Sequence, residues 1–267
     1  MIEVTLSMSM QRELLQFECE NGFLVGSWAI PNDRDSNFPL VVLATGDGPN
    51  GSEGQTWSQL VPMLLQRGIG TFLFDFAGLG HSPGVYDNLT LTRGCRDFRA
   101  AMAFVNSSGH HDKSRIGVIG SSFGGNVALL EAANFPEIRA IGLKSASTFL
   151  PEGYQLEQGA DLMEIWGREG YLEEVGHTYD IVLDSLFHNT YEAASRIAAK
   201  VRIVHGTADT SVPIRHARDL LRVLKHGSIL EIEGADHWYA NGDEWQRMAD
   251  DLVGFMANEL CAAPSAL

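Results

Sequence analysis

Cysteine is scarce: Cys19, Cys95 and Cys261 are the three in 267 residues, far apart and outside any CxxC spacing. Odd in number and without ligand spacing, they exclude a disulfide framework and a zinc knuckle and point to a reducing, cytoplasmic compartment. Long apolar runs are absent too. No stretch approaches the roughly 18 uninterrupted apolar residues that a membrane helix requires. The N-terminal MIEVTLSMSMQRELLQF carries Glu3, Arg12 and Glu13 and no long apolar segment, so neither a cleaved secretory signal nor a membrane span is expected. Positive charge is in short supply, with 19 Lys plus Arg against 34 Asp plus Glu and a formal net charge of -15. Such a chain repels phosphate backbones and anionic lipid, which excludes nucleic-acid and membrane-surface partners. There is no internal repeat, low-complexity tract or linker. Hydrophobic residues at 45%, charged ones at 20% and dispersed glycines are ordinary for a globular chain, which excludes collagen-like, coiled-coil and disordered readings. The length is near the upper end of what one core supports, so a single domain over 1–267 with an insertion is expected.

What is present is an alternation. Apolar, β-branched runs at 22–30, 39–45, 70–75, 115–120, 138–144, 201–206 and 228–233 read as buried strands. Amphipathic segments near 55–67, 89–106, 123–134, 214–226 and 243–260 read as helices; the last places Trp245, Met248, Leu252, Phe255 and Met256 on one face. Continuous apolar strands separated by helices predict an α/β fold with a mostly parallel sheet covered on both faces, with an antiparallel edge near the N-terminus. Residues 148–192 break the pattern: ten acids face one base, Arg168, and Tyr154, Trp166, Tyr171, Tyr179 and Phe187 are interleaved. The segment reads as a helical cap inserted over the sheet.

The chemistry is carried by the strand RIGVIG, which ends at Gly120 and is followed by Ser121, Ser122, Phe123, Gly124, Gly125 and a helical pattern. This is GxSxG between a strand and a helix. The sharp turn strains its central residue, exposes the hydroxyl of Ser122 and tolerates only small neighbours, hence Gly120 and Gly124. The Phe123 N–H, at the helix N-terminus, points where an oxyanion would form. A serine hydroxyl requires a base within hydrogen-bond reach and an acid to orient that base. VRIVHGTADTSVP places Asp209 after one buried strand and SILEIEGADHWY places His237 after the next, in the order Ser, Asp, His.

From about Leu40 to Phe255 the chain resembles the α/β-hydrolases, and within them the small bacterial cinnamoyl/feruloyl esterases and serine-aminopeptidase-like enzymes. FDFAGLGHSPG, GSSFGG, HGTADTSVP and EGADHW carry the resemblance. It implies a Ser122–His237–Asp209 triad and a second oxyanion donor, the backbone N–H of Asp47. It also implies a carboxylic ester substrate, aryl-alkenoyl or short-chain, with no metal or organic cofactor. One departure stands out: the family has His-Gly and an apolar residue where this chain reads Thr45, Gly46, Asp47. An inward carboxylate there would repel an oxyanion, so the Asp47 side chain is expected to point outward.

Two other readings remain: a thioesterase or acyltransferase using the same triad, and a non-catalytic ligand-binding protein on the same fold. A homodimer is compatible with the sequence. Tyr154, Trp166, Tyr171 and Trp238 are candidates for the substrate wall. His205 reads as a structural hydrogen-bonding residue rather than a second base. Asp75 reads as a cap for the AGLGHSPG turn, and Arg93, Arg96 and Arg99, interrupted by Asp97, as a solvated helix face. His110, His111 and Asp112 lack further ligands for a metal.

Overall fold

The apolar runs become strands of one eight-stranded sheet in the computed structural model, which describes residues 13–31 and 37–261. Most of the N-terminal segment read for a secretory signal, including Glu3 and Arg12, lies outside the described residues. The strands are β1 Leu14–Cys19, β2 Gly22–Ala29, β3 Phe38–Ala44, β4 Gly70–Phe74, β5 His111–Ser121, β6 Ile138–Lys144, β7 Lys200–Gly206 and β8 Gly227–Ile232, in the spatial order β1-β2-β4-β3-β5-β6-β7-β8. From β4 to β8 all pairs are parallel; β2 runs antiparallel to both β1 and β4. The expected antiparallel edge is therefore present, and it includes a strand, β1, that the apolar pattern does not mark. Its side chains are mostly exposed and only Phe17 is buried, so pairing with β2 rather than periodicity defines it.

Helices α1 Gln55–Gln66 and α8 Glu244–Leu260 pack on one face of the sheet. The other face carries α2 Leu91–Ser108, α3 Ser122–Glu131 and α7 Ile214–Val223. Each face has its own apolar core. Met248, Leu252 and Met256 of α8 are fully buried beneath the sheet, while Trp245 and Phe255 are only partly covered.

Between β6 and β7 lie α4 Leu150–Glu169, bent at Gly159 (φ 77°), α5 Asp180–Ser185 and α6 Thr190–Ser195, with no sheet strand among them. Long-range polar contacts hold this stretch. Glu152 of α4 bonds Arg215 and His216 of α7, and Asp184 of α5 accepts from the N–H and hydroxyl of Thr92 on α2.

The Arg99 side chain is more engaged than a solvated face requires, because it makes two 2.7 Å bonds to the buried carboxylate of Glu131 on α3. Asp97 is buried, accepting from the Ala77 N–H at 2.9 Å. Both side chains reach neighbouring elements, Arg99 to α3 and Asp97 to the loop after β4.

The strand order reverses between β3 and β5. In an open parallel sheet, the crevice beyond the carboxyl ends at such a reversal is where ligands bind. The loops carrying Asp47 and Ser122 leave the sheet on its two sides.

Candidate active site

Ser122 follows the last residue of β5 and has φ 48°, a left-handed conformation that is costly for a residue with a Cβ. The turn closes only around glycines. A Cβ on Gly120 would come within 2.6 Å of the Gly125 Cα, and one on Gly124 would run into the Thr45 carbonyl. Gly46 lies alongside, its added Cβ meeting the Ser122 Cβ at 3.6 Å, so the loop after β3 passes directly beside the hydroxyl-bearing residue. Phe123 is the second residue of α3, and its N–H has no acceptor within the helix. Its ring is fully buried, edge-on to Phe76 at 5.4 Å between centroids, which fixes the helix start.

Beyond β7, Asp209 accepts from the Ser211 and Val212 N–H groups at 2.9 and 2.8 Å through one oxygen. Its other oxygen is 2.8 Å from the Nδ1 of His237. Burial alone would raise the Asp209 carboxyl, but hydrogen bonds from His205 and His237 hold it well below the ordinary carboxylate range. His205 is fully buried and bonds the Val212 carbonyl at 2.9 Å, a structural placement in which its Nε2 also lies 3.4 Å from the Asp209 oxygen that His237 meets. The Thr207 and Ala208 N–H groups donate to the Ile232 and Ala235 carbonyls, lashing the loop of the acid to that of the base. Asp75 also behaves as a brace. It takes the Ser52 N–H and hydroxyl and the His81 N–H, joining the loop after β3 to the AGLGHSPG turn.

Two cavities meet at Ser122, Asp47, His237 and Trp238. One, of about 800 Å³, is an open groove walled by Trp57, Tyr239, Trp245, Gln55 and Gln59, with Lys144 also on its wall. The other, of about 90 Å³, lies under α4 and is lined by Leu150, Tyr154, Glu157 and Val212.

Of the four candidate wall residues, Trp238 (70% exposed) lines both cavities and Tyr154 lines the smaller. Trp166 and Tyr171 line neither. Trp166 is fully buried, donating to the His177 carbonyl at 2.9 Å and packing on Tyr154 and Tyr179, so it is the core of the inserted helices rather than a wall. Tyr171 lies outward in a turn bridged to Thr178.

The Asp47 carboxylate does not point outward as expected. It accepts from the Tyr154 hydroxyl at 3.3 Å, turned toward α4 at the edge of both cavities. The phenol explains this, since a buried Tyr hydroxyl needs an acceptor and burial pushes Tyr154 well above its ordinary pKa, keeping it a donor. Glu157 is a second carboxylate in the smaller cavity, raised by burial and by the nearby charge of Asp47. Sequence reasoning missed Glu157 and Lys144. The signal for Lys144 was present, a charge closing a mostly apolar strand; for Glu157 there was none, as it is one of ten acids in its segment.

Sheet, elbow and an Asp-oriented histidine at the carboxyl ends of the strands define an α/β-hydrolase. The chain belongs to the prolyl oligopeptidase family, whose model matches residues 59–262, and it is a serine hydrolase. It is 25% identical over 268 residues to the uncharacterized protein YfhR of Salmonella typhi, across 94% of this chain and 84% of that one. Among solved structures it is similar to Est1E of Butyrivibrio proteoclasticus, determined with ferulic acid bound, at a TM-score of 0.79 and 19% identity over 93% of this chain and 100% of that one. The 2,6-dihydroxy-pseudo-oxynicotine hydrolase superposes with a TM-score of 0.73 at 23% identity, over 95% and 70% of the two chains. These structural likenesses establish the fold.

Proposed function

We propose that this hydrolase cleaves a carboxylic ester through a Ser122–His237–Asp209 triad. The observation that carries the reading is the 2.8 Å Asp209–His237 bond beside a strained, glycine-framed Ser122 in a shared cleft. Ser122 attacks the acyl carbon while His237 takes its proton. Asp209, kept ionised, orients the imidazole and supports the imidazolium. The Phe123 and Asp47 N–H groups receive the oxyanion, the acyl-enzyme forms, and water activated by His237 releases the acid. The inserted helices act as a cap that closes the smaller cavity. Flat indole and phenol walls in the larger groove suit an aromatic or planar half of the substrate, in keeping with an aryl-alkenoyl ester and with the ferulic acid bound to Est1E; a short acyl chain suits the smaller cavity. The site's own side chains and backbone supply every group this chemistry needs.

A second reading has one observation in its favour. Asp47 and Glu157 place two carboxylates beside Ser122, an environment that attracts an amine, so an amino-acyl ester or amide is the alternative substrate.

The test is hydrolysis of p-nitrophenyl esters of graded chain length and methyl ferulate beside Ser122→Ala, with amino-acyl p-nitroanilides as a parallel series. Loss of about 10³-fold or more in the variant is expected. Turnover that survives Ser122→Ala overturns the mechanism, and faster cleavage of the anilides than of the esters moves the assignment to the second reading.

A further inference from the structure

β6 is apolar apart from the exposed Arg139 near its start, and it closes with Lys144, 3% exposed. Among the described residues no carboxylate lies within ion-pairing distance of its Nζ. A buried ammonium without such a partner is expensive to keep, which asks what it does. Burial lowers its pKa to about 8, with the carboxylates of Asp209 and Asp236 pulling in the opposite direction.

The geometry gives an answer. Lys144 Nζ donates to the main-chain carbonyl of His237 at 3.0 Å and lies 5.1 Å from the centre of the Tyr239 ring. In the sheet, Lys144 is in register with Ser121, the residue before the serine of the elbow. One side chain thus spans from the strand next to the nucleophile to the residue that supplies the base. The backbone on both sides of this link is strained: Ser145 has φ 44° and Tyr239 has φ 57°. The two are stapled by a 2.9 Å bond between their hydroxyls, and the Tyr239 hydroxyl also donates to the Val204 carbonyl at 3.1 Å. Strain of this kind persists only where surrounding contacts over-determine it, and it clusters at working sites.

Resting on the serine-hydrolase reading of the cleft, we propose that the Lys144 ammonium is a positioning residue for the base, holding the His237 carbonyl against the end of β6 so that the imidazole stays aligned with Ser122. A charge-assisted bond is roughly twice as strong as a neutral one, which gives the ammonium a purpose that an apolar residue of the same shape lacks. The groups facing it are Ser121 on β5, Asp209 beyond β7, and Asp236, His237 and Tyr239 on the loop after β8. Asp209 is held far below the neutral range, and burial pushes the Tyr239 phenol far above it, so both keep one charge state while Lys144 titrates.

The test is the rate of fluorophosphonate labelling of Ser122 from about pH 6 to about pH 10 in the wild type, Lys144→Met and Lys144→Gln, with circular dichroism to establish folding. The wild-type rate is expected to fall as pH rises through about 8, where the ammonium loses its proton. Both variants are expected to label about 10- to 100-fold more slowly at neutral pH and to show no such descending limb. A merely space-filling lysine would produce no limb and no effect in a folded Met variant. A flat wild-type profile, a limb that survives in either variant, or wild-type labelling rates in folded Lys144→Met overturns the proposal. Absence of labelling in the wild type at every pH overturns the hydrolase reading and this proposal with it.

Discussion

Asp97 is buried on α2 with no cation at ion-pairing distance among the described residues, and its carboxyl is raised to about 6. Burial is the main cause; the Ala77 N–H and the charges of Arg93 and Arg96 offset part of it. A folded pKa above the unfolded one means that the folded state binds more protons between about pH 4 and 6, so stability present below that window is lost as pH rises through it. Asp97→Asn keeps an acceptor for Ala77 and removes the titration. It is expected to be more stable than the wild type by about 1–3 kcal/mol above pH 7 and nearly equal to it near pH 4, as read by urea denaturation at the two pH values. A wild type equally stable at both would contradict the burial argument. The same residue-scale view explains what could be read from sequence. Ser122, Asp209 and His237 each sit in a turn just after an apolar strand, where neighbouring residues state the local geometry. Lys144, Tyr154 and the direction of the Asp47 carboxylate depend on partners 93 and 107 positions away, and Trp166 inside α4, Tyr171 in the turn after it and Trp238 in the loop after β8 are told apart only by tertiary packing.

At the scale of elements, α2 and α3 pack closely at Gly94. A Cβ on Gly94 would lie 2.8 Å from the Phe123 Cζ and 2.9 Å from a Val127 methyl, and both helices are held by the Arg99–Glu131 pair one turn further along. Gly94→Ala gains up to about 1 kcal/mol of helix propensity, but the fully buried Phe123 ring has nowhere to go. Overpacking of this kind costs about 1–3 kcal/mol, so a net loss of stability is expected. Because the displaced residue carries the N–H proposed to receive the oxyanion, turnover is expected to fall several-fold with KM little changed, a split that steady-state kinetics reads directly. Unchanged kcat would mean that the start of α3 is anchored by the elbow alone. At this scale the periodicity in the sequence was informative: the expected helix at 243–260 is observed as Glu244–Leu260, and the strand at 138–144 as Ile138–Lys144. β5 begins earlier than expected because the residues before Arg115 are polar and leave no apolar imprint, although His111 pairs with Phe38 of β3. β1 escaped for a related reason, since a strand exposed along most of its length leaves no apolar imprint.

Across the whole molecule the dominant fact is charge. The net charge is -15, and ten of the 34 acids fall within 148–192, the stretch whose α4 overlies the smaller cavity. The imbalance was legible in the sequence; that Glu157 of this stretch lines the smaller cavity was not, because α4 is oriented by Tyr154 on the loop after β3 and by Glu152 on α7. An excess of one sign of charge around a cleft sets up a field that acts on approaching substrates and on their association rate. Salt screens that field, with a Debye length of about 30 Å at 0.01 M and about 8 Å at 0.15 M. For an ester bearing a carboxylate, kcat/KM is therefore expected to rise about three-fold or more between those salt concentrations, while a neutral isostere stays level and one bearing an ammonium falls. The three substrates share the scissile bond, so the contrast isolates the field from the chemistry. Equal salt responses in all three would place the outer acids of 148–192 too far from the approach path to act.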